Sequence, residues 1–367
     1  MNVLHYNTAT GWRGGEQQAL YLMRQLSSFP LSQYSMGLPD SPFLEKTAPY
    51  VQERFPAASR GEINPGVTLA LLNVIKKHRI DIVHTHTTPA HSMALQAKLL
   101  YNGFTLVVHR RVDFPIKNNP LSLYKYKSGK VDRIISVSEC IRGVLVSQGV
   151  PPSKIETIYD GVDPDRLKAD HAETKQRIRS EYRIEPDTII LGMVAALTGN
   201  KDHLTLLRAL YVLLQKGVKC KLFIIGDGEE KSAIISEIGK LGLENQVIMP
   251  GYRSDLEKFI GAFDLYINSS KTEGLGTSII DALANGIPVV ATAAGGVPEL
   301  LGESEFGLLV EKQNPEALAA GIARMIAEPG MMRRYQKAGI ARAARFSVGT
   351  MAEKTFQLYQ KLSTKAS

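Results

Sequence analysis

The sequence predicts two consecutive doubly wound α/β domains, each a parallel sheet with helices on both faces. Three observations carry this prediction. Short β-rich apolar runs recur along the whole chain, helical segments separate nearly all of them, and 367 residues exceed the roughly 100–200 residues of one ordinary domain. Strands that are almost wholly apolar need cover on both faces, as parallel sheets have when helices make their crossovers.

Taken in order, the strand runs of the first half are "VLHYN", "IDIVHTH", "FTLVVH", "RIISVS" and "IETIY". Those of the second half are "TIILGMV", "CKLFIIG", "DLYINS", "IPVVAT" and "FGLLV". Their β-branched and aromatic content suits a pleated, buried surface. Helices are expected over residues 15–28, 66–78, 89–101 and 139–148, then over 202–216, 229–241, 274–285 and 315–328, where apolar residues fall at helical period or good helix formers dominate. The stretch 161–187 is polar, holds two prolines and interrupts the alternation, so it is expected to link a first domain, 1–165, to a second, 166–348. A last amphipathic helix, 349–363, has no strand to follow and can dock on either domain, including back on the first.

With 44% hydrophobic and 22% charged residues the chain has ordinary globular composition. Cys140 and Cys220 are its only cysteines, too few for a disulfide framework or a thiolate metal cluster, which fits a reducing compartment. The first residues lack a basic region followed by a long apolar run, and no apolar stretch is long enough to span a bilayer. A cytoplasmic location follows, compatible with peripheral contact at the inner face of the membrane. The net charge is +8, and between Lys98 and Lys154 ten Lys or Arg oppose three acids. Within that region, residues 110–130 interleave basic with apolar and aromatic side chains, as an anionic surface or substrate would require and as a solvated basic face would also show. No nucleic-acid-binding module accompanies the charge, so no nucleic-acid partner is expected.

In open parallel sheets ligands collect beyond the carboxyl ends of the strands, so two such sheets facing each other would form a cleft. The glycine-rich and polar motifs fall at those ends. In "GWRGGEQQ", Gly11, Gly14 and Gly15 separate strand from helix, which lets backbone approach a ligand and aims helix amides at an anion. Neither this loop nor Gly226-Asp227-Gly228 has the GxGxxG spacing, which argues against a dinucleotide cofactor. In "TEGLGTSIID", Gly274 and Gly276 bracket a helix start, Thr277 and Ser278 add hydroxyls, and the free amides suit a diphosphate. Glu273 lies just outside, placed to accept from hydroxyls, and Asp281 lies one turn beyond Thr277. A capping glutamate and a surface aspartate would read the same way. Lys201, between strand and helix, can neutralise charge on a departing phosphate. His109 closes the strand run "TLVVH" and would face the cleft. His84, His86 and His91 suggest a metal cluster at first sight, but no carboxylate or thiolate joins them at ligand spacing, and no metal is expected. There is no nucleophile elbow of hydrolase type.

These second-half motifs, with "GMVAALTGNKDHLTLLRAL", "FIIGDGEE" and "IPVVATAAGGVPELL", resemble a retaining family 4 glycosyltransferase of the GT-B fold, and "GWRGGEQQ", "DIVHTH", "VVHRRVDFP" and "IETIYDGVD" extend the resemblance over essentially the whole chain. It implies two Rossmann-like domains facing across a cleft, an acceptor-side domain followed by a nucleotide-sugar domain. It implies that Glu273 binds hydroxyls of the transferred sugar, that Gly274, Leu275, Gly276 and Thr277 offer amides to sugar and diphosphate, and that Asp281 holds the ribose. Gly14 and Gly15 would lie near the sugar phosphate and His109 would contact a sugar hydroxyl, with Lys201 stabilising the leaving group and neither metal nor other cofactor required. Two departures stand out: the family's phosphate-clamp arginine aligns with Ala196, and Asp281 is one methylene shorter than the usual glutamate. Asp160 replaces the asparagine of an "NGVD" turn, a change both residues suit.

The expected reaction moves a sugar from a nucleotide-diphosphate donor to a glycan or lipid-linked acceptor in bacterial lipopolysaccharide or surface-polysaccharide synthesis. Arg110, Arg111 and Lys117 are the expected acceptor-side contacts. The rivals are a GT-B epimerase, a phosphorylase carrying pyridoxal phosphate on a lysine, and a catalytically weak nucleotide-sugar-binding protein.

Overall fold

The computed structural model describes residues 1–58, 61–163 and 170–363. The chain divides into two compact units, Met1–Gly161 joined by the terminal helix from Val348, and Val162–Ser347. The expected domain boundary at 165/166 lies outside the described residues.

In the first unit seven strands form one sheet: β1 (Asn2–Tyr6), β2 (Ser32–Gly37), β3 (Arg54–Pro56), β4 (Ile82–Thr85), β5 (Thr105–Arg110), β6 (Arg133–Ser136) and β7 (Ile155–Thr157). Their order is β3-β2-β1-β4-β5-β6-β7, and every pairing is parallel. Six strands form the second sheet: β8 (Ile189–Val194), β9 (Cys220–Ile225), β10 (Val247–Gly251), β11 (Leu265–Asn268), β12 (Val289–Thr292) and β13 (Leu308–Val310). The order β10-β9-β8-β11-β12-β13 repeats the same winding, again with parallel pairs only. In each sheet the order reverses beside the first strand, between β1 and β4 and between β8 and β11. Those two points are where such sheets open a crevice for ligand.

Every expected strand forms, but β2, β3 and β10 were not foreseen. β2 reads "SQYSMG", with Gln33 and Ser35 inside; Gln33 is accommodated because its amide donates to the carbonyls of Met23 and Tyr50. The expected linker also carries structure: His171–Glu181 is a helix whose N-cap, Asp170, accepts from the amides of Ala172 and Glu173. Only Thr174 and Ile178 of that helix are buried, too thin a stripe to betray a helix in the sequence.

The terminal helix Val348–Ser363 completes the first unit. Val348, Met351, Leu358, Tyr359 and Leu362 join Val3, Leu22, Leu26, Ile82 and Val107 in one core. Each buried side chain of this size contributes about 1.5–3 kcal/mol. In the second unit Leu191, Met193, Leu222, Ile224, Leu265 and Ile267 of the central strands pack against Leu206 and Leu210 on one helix and Leu318 and Ile322 on another.

Candidate functional site

The expected site residues fall in both units. In the second unit they gather where the order of strands reverses. β8 leads through Gly199–Lys201, a single 3-10 turn, into Asp202, whose left-handed backbone (φ 52°) starts the next helix while its carboxylate accepts from the amide and hydroxyl of Thr205. β11 leads into the loop 269–276. Lys201 Nζ donates to Glu273 Oε2 at 2.5 Å, and Ser270 Oγ donates to the same oxygen at 3.0 Å. The two charged side chains are only 18% and 11% exposed.

Several ties hold the two loops in place. Ser269 Oγ donates to Lys201 O, Lys271 N to Asn200 O, Thr292 Oγ1 to Ser270 O, and Gly296 N to Glu273 O. The helix begins later than expected, at Thr277, and Gly274, Leu275 and Gly276 remain loop. Gly276 is its N-cap with φ +98°, a backbone that a side chain would strain, and a Cβ there would meet Ile279 Cδ1 at 3.0 Å. The amides of Thr277 and Ser278 precede the earliest backbone bond of the helix, Ile279 N to Gly276 O. Ser278 does not line this mouth as expected; its Oγ lies 2.8 Å from the buried Tyr266 hydroxyl. Asp281 is half-buried one turn further along.

Gly226 and Gly228 have a structural explanation. A Cβ on Gly226 would sit 1.9 Å from the Ala195 carbonyl oxygen and one on Gly228 2.4 Å from that of Leu197. The glycines let this loop lie against the one carrying Ala196, to which Leu197 N and Glu230 N add backbone bonds. A cation that sequence reasoning missed stands beside the site: Lys271 Nζ is 3.5 Å from Asp202 Oδ1 and 40% exposed. Its position two residues before Glu273 was the available signal.

In the first unit, Gly14 opens the helix Gly14–Leu26, whose start is held by Glu16 Oε2 accepting from Arg13 N. A Cβ on Gly14 would meet nothing within 4 Å and one on Gly15 only Arg111 Cδ at 3.8 Å, so close packing does not account for either glycine. His109 is the penultimate residue of β5, with its ring buried. Around it lie His5 of β1 and His84 and His86 of β4 and the loop beyond, with ring centroids 5.2 Å apart for His84–His109 and 4.4 Å for His84–His86. Register explains the gathering, because β1 pairs with β4 so that His5 stands opposite His84. Burial pushes His5 down to about 3 against a weaker opposing hydrogen bond from Gln33, and burial holds His84, His86 and His109 well below the ordinary histidine range, helped by the charge of Arg111. His91, grouped with them in the sequence, packs instead edge-on against Tyr126.

Two of the three expected acceptor-side contacts turn inward. Arg110 is buried and donates to the carbonyls of Val112 and Phe114 and to the Tyr126 hydroxyl, so it braces its own loop. Arg111 reaches Asp160, His86 and His109. Both are interior because the elements packed on β5 supply the oxygen and nitrogen acceptors that buried guanidinium groups need. Lys117 remains exposed.

Comparison with known proteins identifies the family and the fold. The family profile described as Glycosyl transferases group 1 matches residues 174–342, and that described as Glycosyltransferase Family 4 matches residues 12–166. The chain is 28% identical over 85% of its length, and 85% of the relative's, to a putative glycosyltransferase, EpsD, of Bacillus subtilis. It is 27% identical, over 77% of each chain, to the N-acetylgalactosamine-N,N'-diacetylbacillosaminyl-diphospho-undecaprenol 4-alpha-N-acetylgalactosaminyltransferase of Campylobacter jejuni. Among solved structures, Anabaena Alr3699/HepE in complex with UDP-glucose superposes with a TM-score of 0.87 at 20% identity, covering 98% of this chain and 100% of the other.

Proposed function

Because the chain belongs to the Glycosyl transferases group 1 family and is a glycosyltransferase of GT-B fold acting on a nucleotide-sugar, we propose that it retains anomeric configuration and holds its donor on the Lys201–Glu273 pair. The observation that carries the assignment is this ion pair, set at the strand reversal beside a helix that starts on a left-handed glycine. As the bond from the sugar to the diphosphate breaks, negative charge grows on the departing phosphate. Lys201 and the amides at Thr277 are the groups that stabilise it in a partly buried site. Glu273 is then released to accept from hydroxyls of the sugar, with Gly274, Leu275 and Gly276 offering backbone amides and Asp281 taking the ribose. Gly14, Gly15 and His109 supply the contacts of the first unit to the sugar and its phosphate. Ala196 leaves no arginine in the clamp, and Lys271 is the cation best placed to share the charge.

The donor is a UDP-sugar and the acceptor a lipid-linked glycan of bacterial surface-polysaccharide or lipopolysaccharide synthesis. The Anabaena neighbour, in complex with UDP-glucose, supports the first, and the undecaprenol-linked acceptor in the name of the Campylobacter relative supports the second. The first unit exposes Phe114, Leu121 and Tyr124 at 55%, 78% and 49%, close in sequence to exposed Lys117 and Lys127, a combination suited to an anionic membrane surface. Among the described residues no helix is long and apolar enough to cross a membrane.

Calorimetry with UDP, GDP, ADP and their common sugar conjugates tests the reading. One nucleotide-sugar should bind, and Glu273→Ala and Lys201→Ala should weaken it. A folded chain that binds none of them would refute it.

A further inference from the structure

Arg111 sits where four buried histidines converge, and the hydrogen bonds around it can be assigned in a definite direction. A neutral imidazole has one N–H and one lone pair, whereas a guanidinium only donates. Arg111 Nη1 lies 3.4 Å from His86 Nδ1, Nη2 lies 3.3 Å from His109 Nδ1, and Nε lies 3.3 Å from Asp160 Oδ1. Both Nδ1 atoms must therefore accept, which places the protons of His86 and His109 on Nε2. The constraint then spreads to rings that Arg111 does not touch. His86 Nε2 is 3.1 Å from His5 Nδ1, so His5 accepts there and carries its own proton on Nε2. His84 Nε2 is 3.2 Å from the accepting Nδ1 of His109, so it donates as well and shares that nitrogen's single lone pair with Arg111 Nη2, and His84 Nδ1 accepts from the Tyr359 hydroxyl at 2.6 Å. In this assignment no two donors and no two lone pairs face each other.

We propose that Arg111 is a positioning residue that fixes the tautomer of all four histidines, so that His109 presents an N–H, and not a lone pair, at Nε2. Among the described residues that buried nitrogen makes no hydrogen bond, and Asp160 Oδ1 is 3.8 Å away. A hydroxyl meeting it must accept. Burial keeps the rings neutral, as the assignment requires. The consequence for the donor sugar rests on the proposed contact with His109; the tautomer assignment does not.

The same geometry disfavours a metal ion in the cluster. The ligand atoms of His5, His84 and His86 lie within 4.8 Å of one another. A metal on His86 Nε2 would force the proton onto Nδ1, directly against the guanidinium.

Histidine tautomers can be read from long-range proton–nitrogen spectra of the full chain labelled with nitrogen-15 histidine at pH 7, with rings assigned from single His→Gln variants. His5, His84, His86 and His109 should all show a proton on Nε2; a proton on Nδ1 of His86 or His109, or a charged ring at either, overturns the proposal. In Arg111→Gln the amide can turn its carbonyl toward the rings, and a form protonated on Nδ1 should appear at His86 or His109. If all four rings stay wholly in the original form, something other than Arg111 sets them. Tyr359→Phe gives an independent check, because Arg111 remains: the tautomers should persist, and a switch at His84 or His109 would transfer control to Tyr359 and overturn the proposal. Arg111→Gln should also raise KM for the nucleotide-sugar about tenfold, the loss of one well-placed hydrogen bond, while binding of the free nucleoside diphosphate stays unchanged. Shifted tautomers with an unchanged KM would refute the contact between His109 and the sugar and leave the role of Arg111 standing.

Discussion

Lys201→Met, Glu273→Gln and the double variant separate what the ion pair does for stability from what it does for chemistry. At 2.5 Å, with side chains 18% and 11% exposed, the pair lies between a surface bridge, worth about 0–1 kcal/mol, and a fully buried one, where deleting one partner costs about 3–5 kcal/mol. Ser270 Oγ still donates to Glu273 when the lysine is gone. Lys201→Met should therefore destabilise the second unit by about 1–3 kcal/mol, the penalty for an under-solvated polar group. In a domain of this size that lowers the melting point by about 2–4 °C per kcal/mol. The double variant removes both charges and should recover about 1–2 kcal/mol relative to the sum of the single losses.

The kinetic effect should be larger than the effect on stability. If Lys201 stabilises charge on the departing diphosphate, Lys201→Met lowers kcat about 100- to 1000-fold, as loss of one preorganised charge-stabilising donor does elsewhere. Release of nucleoside diphosphate from the donor measures this, with melting followed on the same samples. Turnover within threefold of the parent, or strictly additive stability losses, would refute the reasoning.

Gly276→Ala should cost about 1–2 kcal/mol, because φ +98° is a left-handed conformation for the new side chain; urea unfolding of the second unit with an unchanged midpoint would contradict it. Lys271→Ala should weaken diphosphate binding about tenfold, yet leave stability nearly unchanged, since a bridge 40% exposed on the lysine side contributes little; calorimetry showing unaltered affinity would remove Lys271 from the clamp. Acid should unfold the first unit before the second. His5 and His91 are held down to about 3 by burial, with His84, His86 and His109 also lowered, whereas the second unit holds His203 at about 4. The unfolded chain then binds more protons than the folded one below pH 6.5. Stability is full above that value and falls below it by up to about 1.4 kcal/mol per pH unit for each such ring. Hydrogen exchange at pH 5 and pH 7, resolved by segment, should show strands β1, β4 and β5 losing protection first; equal loss in β8 and β11 would refute the ranking.

What could be read from the sequence was local. "TLVVH" and "KLFII" name buried parallel strands without outside help, and "EGLGTS" marks a loop entering a helix because Gly276 must take a backbone that few residues adopt. Elements whose stability comes from elsewhere were missed. β2 is polar and needs the carbonyls of Met23 and Tyr50 to bury Gln33, and the helix Pro329–Ala343 opens on Pro-Gly, which reads as a turn. Lys201 and Glu273 were each identified, but nothing in a separation of 72 residues says that they touch. His5 was passed over inside an apolar strand, because only the register of β1 on β4 sets it against His84.

The basic stretch shows the same limit with a sign attached. Counting along the chain, the region from Lys98 to Lys154 has a large positive excess. In the fold, Lys98 pairs with Asp132, and acids from outside the stretch reach two of its other cations, Glu62 meeting Lys125 and Asp160 meeting Arg111. Arg110 is buried among carbonyls and a tyrosine hydroxyl. Charge that is paired or interior exerts little field on an approaching ligand, so the proposed attraction of this stretch for an anionic surface rests on fewer groups than the count implies, among them Lys117 and Lys127. In the sequence Lys117 and Lys127 bracket the exposed Leu121 and Tyr124, with exposed Phe114 three residues before Lys117, and the proposed membrane contact rests on that combination of exposed basic and apolar side chains. Neutralising Lys117 and Lys127 together should abolish binding to vesicles containing anionic lipid, while Arg111→Gln, which alters an interior group, should leave it intact. Equal loss in both variants would show that the net charge of the stretch, and not its exposed arrangement, governs the contact.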